Sequence, residues 1–153
     1  MSAQAQPLWM AATMVLAGMG IPLMAALNGG LGLRLGSPVM AATILFALAL
    51  IASITLLSLQ PGGPRPGFGD VPVYFYLGGL LVAFYVLAVT RIAPVIGVGN
   101  AIMLVLMGQL MAAAAIDHLG LLGAPRAPLS AQRAGGIATM LVGIVLARWP
   151  DAA

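Results

Sequence analysis

The chain has 153 residues, of which 62% are hydrophobic and only 6% charged: six Arg, three Asp, no Lys and no Glu. A soluble domain carries about a quarter charged residues, so this composition excludes a water-soluble globule and points to an integral membrane protein. The net charge of +3 comes from scattered arginines flanking apolar runs, so it implies no nucleic-acid partner, and the absence of Cys excludes disulfides, thiolate chemistry and cysteine-based metal sites.

Taken in order, the chain predicts an all-α bundle of five transmembrane helices in a single membrane domain, residues 1–153. Span one, about 8–27, is entered through Pro7 and Trp9. With no basic segment before it and about twenty apolar residues, it is a mature span rather than a signal peptide. Gly18, Gly20 and Pro22 make a kink or hinge in its middle. Asn28-Gly29-Gly30 then forms a turn that closes it, followed by a polar link, residues 31–38, holding Arg34. Ser37-Pro38 opens span two, about 39–59.

Residues 60–72 form a Pro- and Gly-rich loop with Arg65 and Asp70. Span three, about 73–90, begins with Tyr74, Phe75 and Tyr76, where an interfacial aromatic belt would sit. Arg91 and Pro94 make a tight return into span four, about 92–116. Its twenty-five charge-free residues would extend about 37 Å as one helix, more than the roughly 30 Å hydrocarbon core. This span carries Pro94, Gly97, Gly99, Asn100, Gly108 and Gln109, groups that lipid disfavours, so it should face other helices or a path. A second Gly-Pro loop with Arg126 leads to span five, about 131–149, where Arg133 and Arg148 can snorkel and Trp149 can sit at the interface. Gly135, Thr139, Gly143 and Ala147 make a small-residue stripe for helix packing or dimerisation.

Five spans place Arg65, Arg126 and Arg133 on one side of the membrane and Arg34, Arg91 and Arg148 on the other. Orientation follows the Lys/Arg excess, and three against three is no excess. The tie is either chance or dual topology, in which two copies run in opposite directions. Transporters are commonly two inverted halves with the site between them. An antiparallel homodimer of this chain would supply both halves, as would a partner encoded elsewhere.

Several groups are candidates for chemistry, each with a structural alternative. Gln109 and Asp117 lie about 80° apart around a helix and can line one cavity, with Asp117 the natural carboxylate for proton coupling. Alternatively Asp117 is a helix-end residue pairing with Arg126 or His118. Asn100 lies nine residues before Gln109, on the opposite face of a straight helix. Either the helix unwinds near Gly97–Gly99 and exposes backbone to substrate, or the two amides bond different neighbours. Asn28 reaches a cavity or caps a turn, and Tyr85 orients a ligand or bonds a neighbouring helix. His118 assists Asp117 in a relay or is solvated. The ten methionines line a cavity or fill the bundle. No paired carboxylates, nucleophile-base pair, metal-ligand spacing or phosphate-binding glycine loop occurs, so an enzyme is not expected, and neither is a cofactor.

The segments Pro22-Leu-Met-Ala-Ala-Leu-Asn28-Gly-Gly-Leu-Gly32, Gly78-Gly79-Leu-Leu-Val-Ala-Phe-Tyr85, Ala93-Pro94 with Gly97, Gly108-Gln109 to Ile116-Asp117-His118-Leu-Gly120, and Arg133-Ala-Gly-Gly136 together resemble the five-helix YdcZ family of the drug/metabolite transporter superfamily. The Leu129-Ser130-Ala-Gln132-Arg133-Ala-Gly135 stretch resembles the ending of that superfamily's repeats, with the Gln shifted by one position. The resemblance implies a multi-pass protein of the bacterial inner membrane, partnered with lipid and a second copy, exporting small molecules by alternating access across an antiparallel dimer interface. Small multidrug-resistance exporters, similar in size, hold a cation with an acid in span one; its absence here points to neutral, zwitterionic or weakly charged cargo. A passive dual-topology channel and a non-transporting assembly or lipid-binding subunit stay open as other classes.

Overall fold

The computed structural model describes residues 8–62 and 71–148. Features expected at Pro7, Arg65, Asp70 and Trp149 lie outside the described residues. Among the described residues there are five α-helices: α1 (Leu8–Leu35), α2 (Pro38–Leu59), α3 (Gly78–Ile96), α4 (Val98–Leu119) and α5 (Ala131–Ala147). Four segments are long and apolar enough to cross a membrane: α1, α2, Val73–Ile96 and α4. At 17 residues α5 extends about 26 Å, somewhat short of a roughly 30 Å core. The chain divides into two compact units, Met1–Val98 and Gly99–Ala153.

In the first unit α1 packs on both α2 and α3, and α2 packs on α3. The buried residues of α1 are Ala25, Asn28, Gly29 and Gly32, and those of α3 are Val86, Val89, Thr90 and Ala93. Both sets follow the i, i+3, i+4, i+7 spacing of a single helix face. Small side chains on these faces let the backbones approach. A Cβ on Gly29 would lie 3.2 Å from Cγ of Pro94, and one on Gly32 would lie 3.2 Å from Cγ2 of Thr90 and 3.4 Å from Cα of Pro38.

This contact corrects the expected end of the first helix. Asn28-Gly29-Gly30 does not form a turn, and the helix continues to Leu35 with Arg34 in its last turn. Both glycines that α1 presses against other helices lie in the 29–32 stretch, so their lack of a side chain serves packing rather than chain reversal. The true stop is Gly36, at φ +64, where its N–H donates to Leu33 O and the Ser37 N–H donates to Gly32 O. That is the paired bonding of a Schellman end. Ser37 then caps α2, its Oγ accepting from the Met40 N–H at 3.1 Å, with Pro38 opening the helix. Two residues therefore connect α1 to α2. The helix α1 also runs without interruption through Gly18, Gly20 and Pro22.

The second correction concerns residues 91–99. Arg91 and Pro94 do not make the return: α3 continues through both and ends at Ile96. Pro94 lacks the N–H that would bond Thr90 O, but so near a helix end the loss is tolerated. The joint is Gly97, whose φ of 87 and ψ of 144 lie in a region open essentially to glycine alone. Gly99 is already inside α4. Ahead of α3, the expected aromatic belt forms a 3-10 turn, Val73–Leu77, with Tyr74, Phe75 and Tyr76 exposed.

In the second unit Ser130 caps α5, its Oγ accepting from the Arg133 N–H at 3.2 Å. The stripe Gly135, Thr139, Gly143 and Ala147 is exposed, and a Cβ on either glycine would meet nothing within 4 Å.

Two glycines of α1 only two residues apart, Gly32 and Gly30, should respond differently to substitution. Gly32→Val is expected to destabilise the protein by about 1–3 kcal/mol through overpacking. Gly30→Ala, where a Cβ meets nothing within 4 Å, should be neutral or stabilise by up to about 1 kcal/mol through helix propensity. Thermal unfolding in detergent would separate them, and equal midpoints would show that the α1–α3 approach is not tight.

Candidate functional site

In the first unit the polar centre is Asn28. It is 4% exposed, and its Nδ2 donates to Oγ1 of Thr90, 2% exposed, at 2.5 Å across the α1–α3 contact. The pairing follows from the stripes: Asn28 and Thr90 occupy the facing sides of two helices that Gly29 and Gly32 draw together. Pro94 sits four residues after Thr90, and its ring packs over Gly29.

Asn28 also lines a groove of about 270 Å³ between α1 and α2, together with Met24, Leu27, Leu31, Ile44, Leu45 and Leu48. A groove of about 220 Å³ on the other side of α1 is lined by Ala25, Ala26, Gly29, Gly30, Leu33, Ala93, Pro94 and Val98. It offers no polar side chain. A larger hollow beside Ser53 and Gln60 is open surface along α2 alone. Tyr85, on α3, has a buried hydroxyl with no hydrogen-bond partner among the described residues.

In the second unit polar groups gather where α4 meets the loop to α5. Asp117 Oδ2 pairs with a guanidinium nitrogen of Arg133 at 2.5 Å, with the two side chains 35% and 39% exposed. The expected partners Arg126 and His118 do not take that place. Arg133 does, because the Ser130 cap sets the first turn of α5 and brings its third residue to the end of α4. The backbone carbonyl of Asp117 accepts from the Ala127 N–H at 2.8 Å, and Nδ1 of His118 accepts from the Leu129 N–H at 2.9 Å. An accepting Nδ1 carries no proton, so the ring proton resides on Nε2. Nε of Arg126 donates to His118 O at 3.4 Å, and Arg126 packs against Gly120, whose φ is 65. The loop is thus stitched back onto the end of its own helix.

Asn100 and Gln109 are both exposed on α4, which is unbroken between them. Nine residues apart on one helix, they point to opposite sides. Sequence reasoning singled out Asn28 but missed Thr90. The signal was present in retrospect: a hydroxyl four residues before a proline, at i+4 from Val86 on the stripe that α3 buries.

The family model described as "Putative inner membrane exporter, YdcZ" matches residues 9–146, from the start of α1 to the penultimate residue of α5. The chain belongs to the YdcZ family. No curated protein and no solved structure matches it. Membership agrees with the five helices, four of them long and apolar enough to cross a membrane, and supports a membrane transporter rather than an enzyme class.

A double-mutant cycle of Asn28→Leu and Thr90→Val should show a coupling of about 0.6–2 kcal/mol, the range for hydrogen bonds between membrane helices. The same cycle on Asp117→Asn and Arg133→Gln should give less than about 1 kcal/mol, because that pair is more than a third exposed. Unfolding in detergent measures both. The reverse order would place the principal polar lock in the second unit.

Proposed function

We propose that this chain is half of a small-molecule exporter of the inner membrane, completed by a second copy in the opposite orientation. The observation that carries the proposal is the exporter-family match, which spans all five helices. The three-against-three division of arginines supports the inverted pairing, because neither orientation is favoured by charge. An exposed small-residue stripe on α5, Gly135, Thr139, Gly143 and Ala147, offers a surface on which a second copy could approach closely. In such a pair α5 serves as the fifth span and the ten helices form two inverted halves that alternate access to a central path.

The cargo-contacting groups in this proposal are Asn28 and Tyr85 of the first unit and, of the second, one of Asn100 and Gln109, which the unbroken α4 turns to opposite sides. Asp117 and His118 are the candidates for proton coupling. The pairing of Asp117 with Arg133 bears on that role, because one carboxylate oxygen is already engaged by a guanidinium. Flexure of α1 at Gly20 and Pro22, and of the α3–α4 joint at Gly97 and Gly99 beside Pro94, would accompany the change of access.

Two measurements test the proposal separately. The chain lacks cysteine, so Gln60→Cys introduces a single reactive thiol at the exposed end of α2. A membrane-impermeant maleimide applied to intact cells should label about half of the copies if topology is dual; labelling of nearly all or nearly none would overturn the inverted homodimer. Purified protein in liposomes should give saturable uptake of small uncharged or weakly charged solutes. An absence of flux under every solute and pH gradient would overturn the transporter assignment.

A further inference from the structure

We propose that the groove between α1 and α2 binds a small, uncharged, mainly apolar molecule that donates one hydrogen bond, and that Thr90 is the positioning residue that sets this preference. As the cargo site it rests on the exporter proposal; as a binding site it does not. Asn28 is the groove's one polar side chain, set among Met24 of α1 and leucine and isoleucine side chains of both helices. Only 4% of Asn28 is exposed, and its Nδ2 is committed to Thr90 Oγ1. Its amide oxygen has no partner among the described residues. Tyr85 holds the one fully buried side-chain oxygen without a partner among the described residues, so the Asn28 oxygen keeps some exposure to the groove it lines, and with no other polar side chain there a ligand hydrogen that reaches it is favoured over a group that cannot donate.

Thr90 gives the groove its polarity. A free asparagine amide can turn and offer either its N–H or its oxygen. In the structure Thr90 Oγ1 accepts from Nδ2 on the α3 side, which leaves the amide oxygen for the groove as an acceptor. No charged side chain lines it, so an ion entering it would lose hydration without a counter-charge. Its volume of about 270 Å³ is just below the roughly 300 Å³ where sites for drug-sized ligands begin, so the molecule is smaller than those. Asn28 lies seven residues, about 10 Å, before the end of α1, inside the apolar length of the helix. Because the groove opens along the sides of two helices, lipid acyl chains compete for it, but a methylene cannot donate to the amide oxygen.

Indole and 1-methylindole form a suitable probe pair, since they differ in the single N–H. Equilibrium dialysis against the full chain in phosphatidylcholine nanodiscs, with empty nanodiscs subtracted, should show indole binding at least about five-fold more tightly than its methylated analogue. The preference should vanish in Asn28→Leu and fall toward unity in Thr90→Val, while Thr90→Ser, which keeps the hydroxyl, retains it. Leu48→Trp, which fills the groove from α2 and leaves the Asn28–Thr90 bond alone, should abolish binding of both probes. Equal binding of the two probes, a preference untouched by Asn28→Leu and Thr90→Val, or no binding of either overturns the site. Flux in liposomes separates the two proposals: donor-selective binding without movement of any solute removes the exporter and leaves the groove, whereas flux without donor selectivity does the reverse.

Discussion

The close approach of α1 to α3 is the constraint on which the first unit depends. Apolar association is a weak organiser in lipid, because the surrounding tails are as apolar as leucine, so helix pairing there relies on close van der Waals contact and on interhelical hydrogen bonds. This contact has both. Gly29 and Gly32 remove the side chains that would hold the backbones apart, and Asn28 and Thr90 supply a bond that neither could form with lipid. Each feature requires the other: an amide and a hydroxyl reach across only when the helices are close, and a close approach without the bond would leave two buried polar groups unpaired.

Packing of this kind accounts for the connections as well. The α1–α2 turn is short because α1 must run to Leu35 to keep Gly32 against Thr90 and Pro38, which leaves only Gly36 and Ser37 to reverse the chain. The α3–α4 joint is shorter still, a single glycine in a conformation that a side chain would oppose. In the second unit the α4–α5 loop is longer, and it is secured by bonds to the carbonyl of Asp117, the ring and carbonyl of His118, and the Ser130 cap. Two residues with the look of proton carriers are therefore also structural ties, and any role in coupling must act through groups already engaged.

The family match gives the transport class, and the geometry gives the chemistry available to it. Among the described residues that chemistry is sparse: the first unit offers one buried amide in an apolar groove and one buried phenol hydroxyl, and the second, by itself, two exposed amides on α4 and one ion pair. In the exporter proposed above, an α1–α2 groove without a charged side chain would suit molecules that already partition toward lipid better than permanent ions.

Composition and periodicity were enough to identify a helical membrane protein with five helices, because apolar length is a property of each segment by itself. The Ser37-Pro38 start of α2 and the glycine-rich character of the α3–α4 region were legible for the same reason: caps and φ preferences act over a few residues. The misread positions all depended on partners distant in sequence. Asn28-Gly29-Gly30 has the composition of a turn, and only the presence of α3 alongside makes it the packing surface of a continuing helix. Pro94 looks like a break, but α3 runs on through it to Ile96 and the non-helical joint is Gly97. Asp117 has two basic groups nearer in sequence than Arg133, yet the cap on α5 decides which guanidinium arrives. Local chemistry thus determined which residues could be helical and which could be buried, while tertiary packing decided which glycines turn the chain, which amide is locked to a hydroxyl sixty-two residues away, and which acid is neutralised. Those outcomes depend on distances between helices, which no single segment encodes.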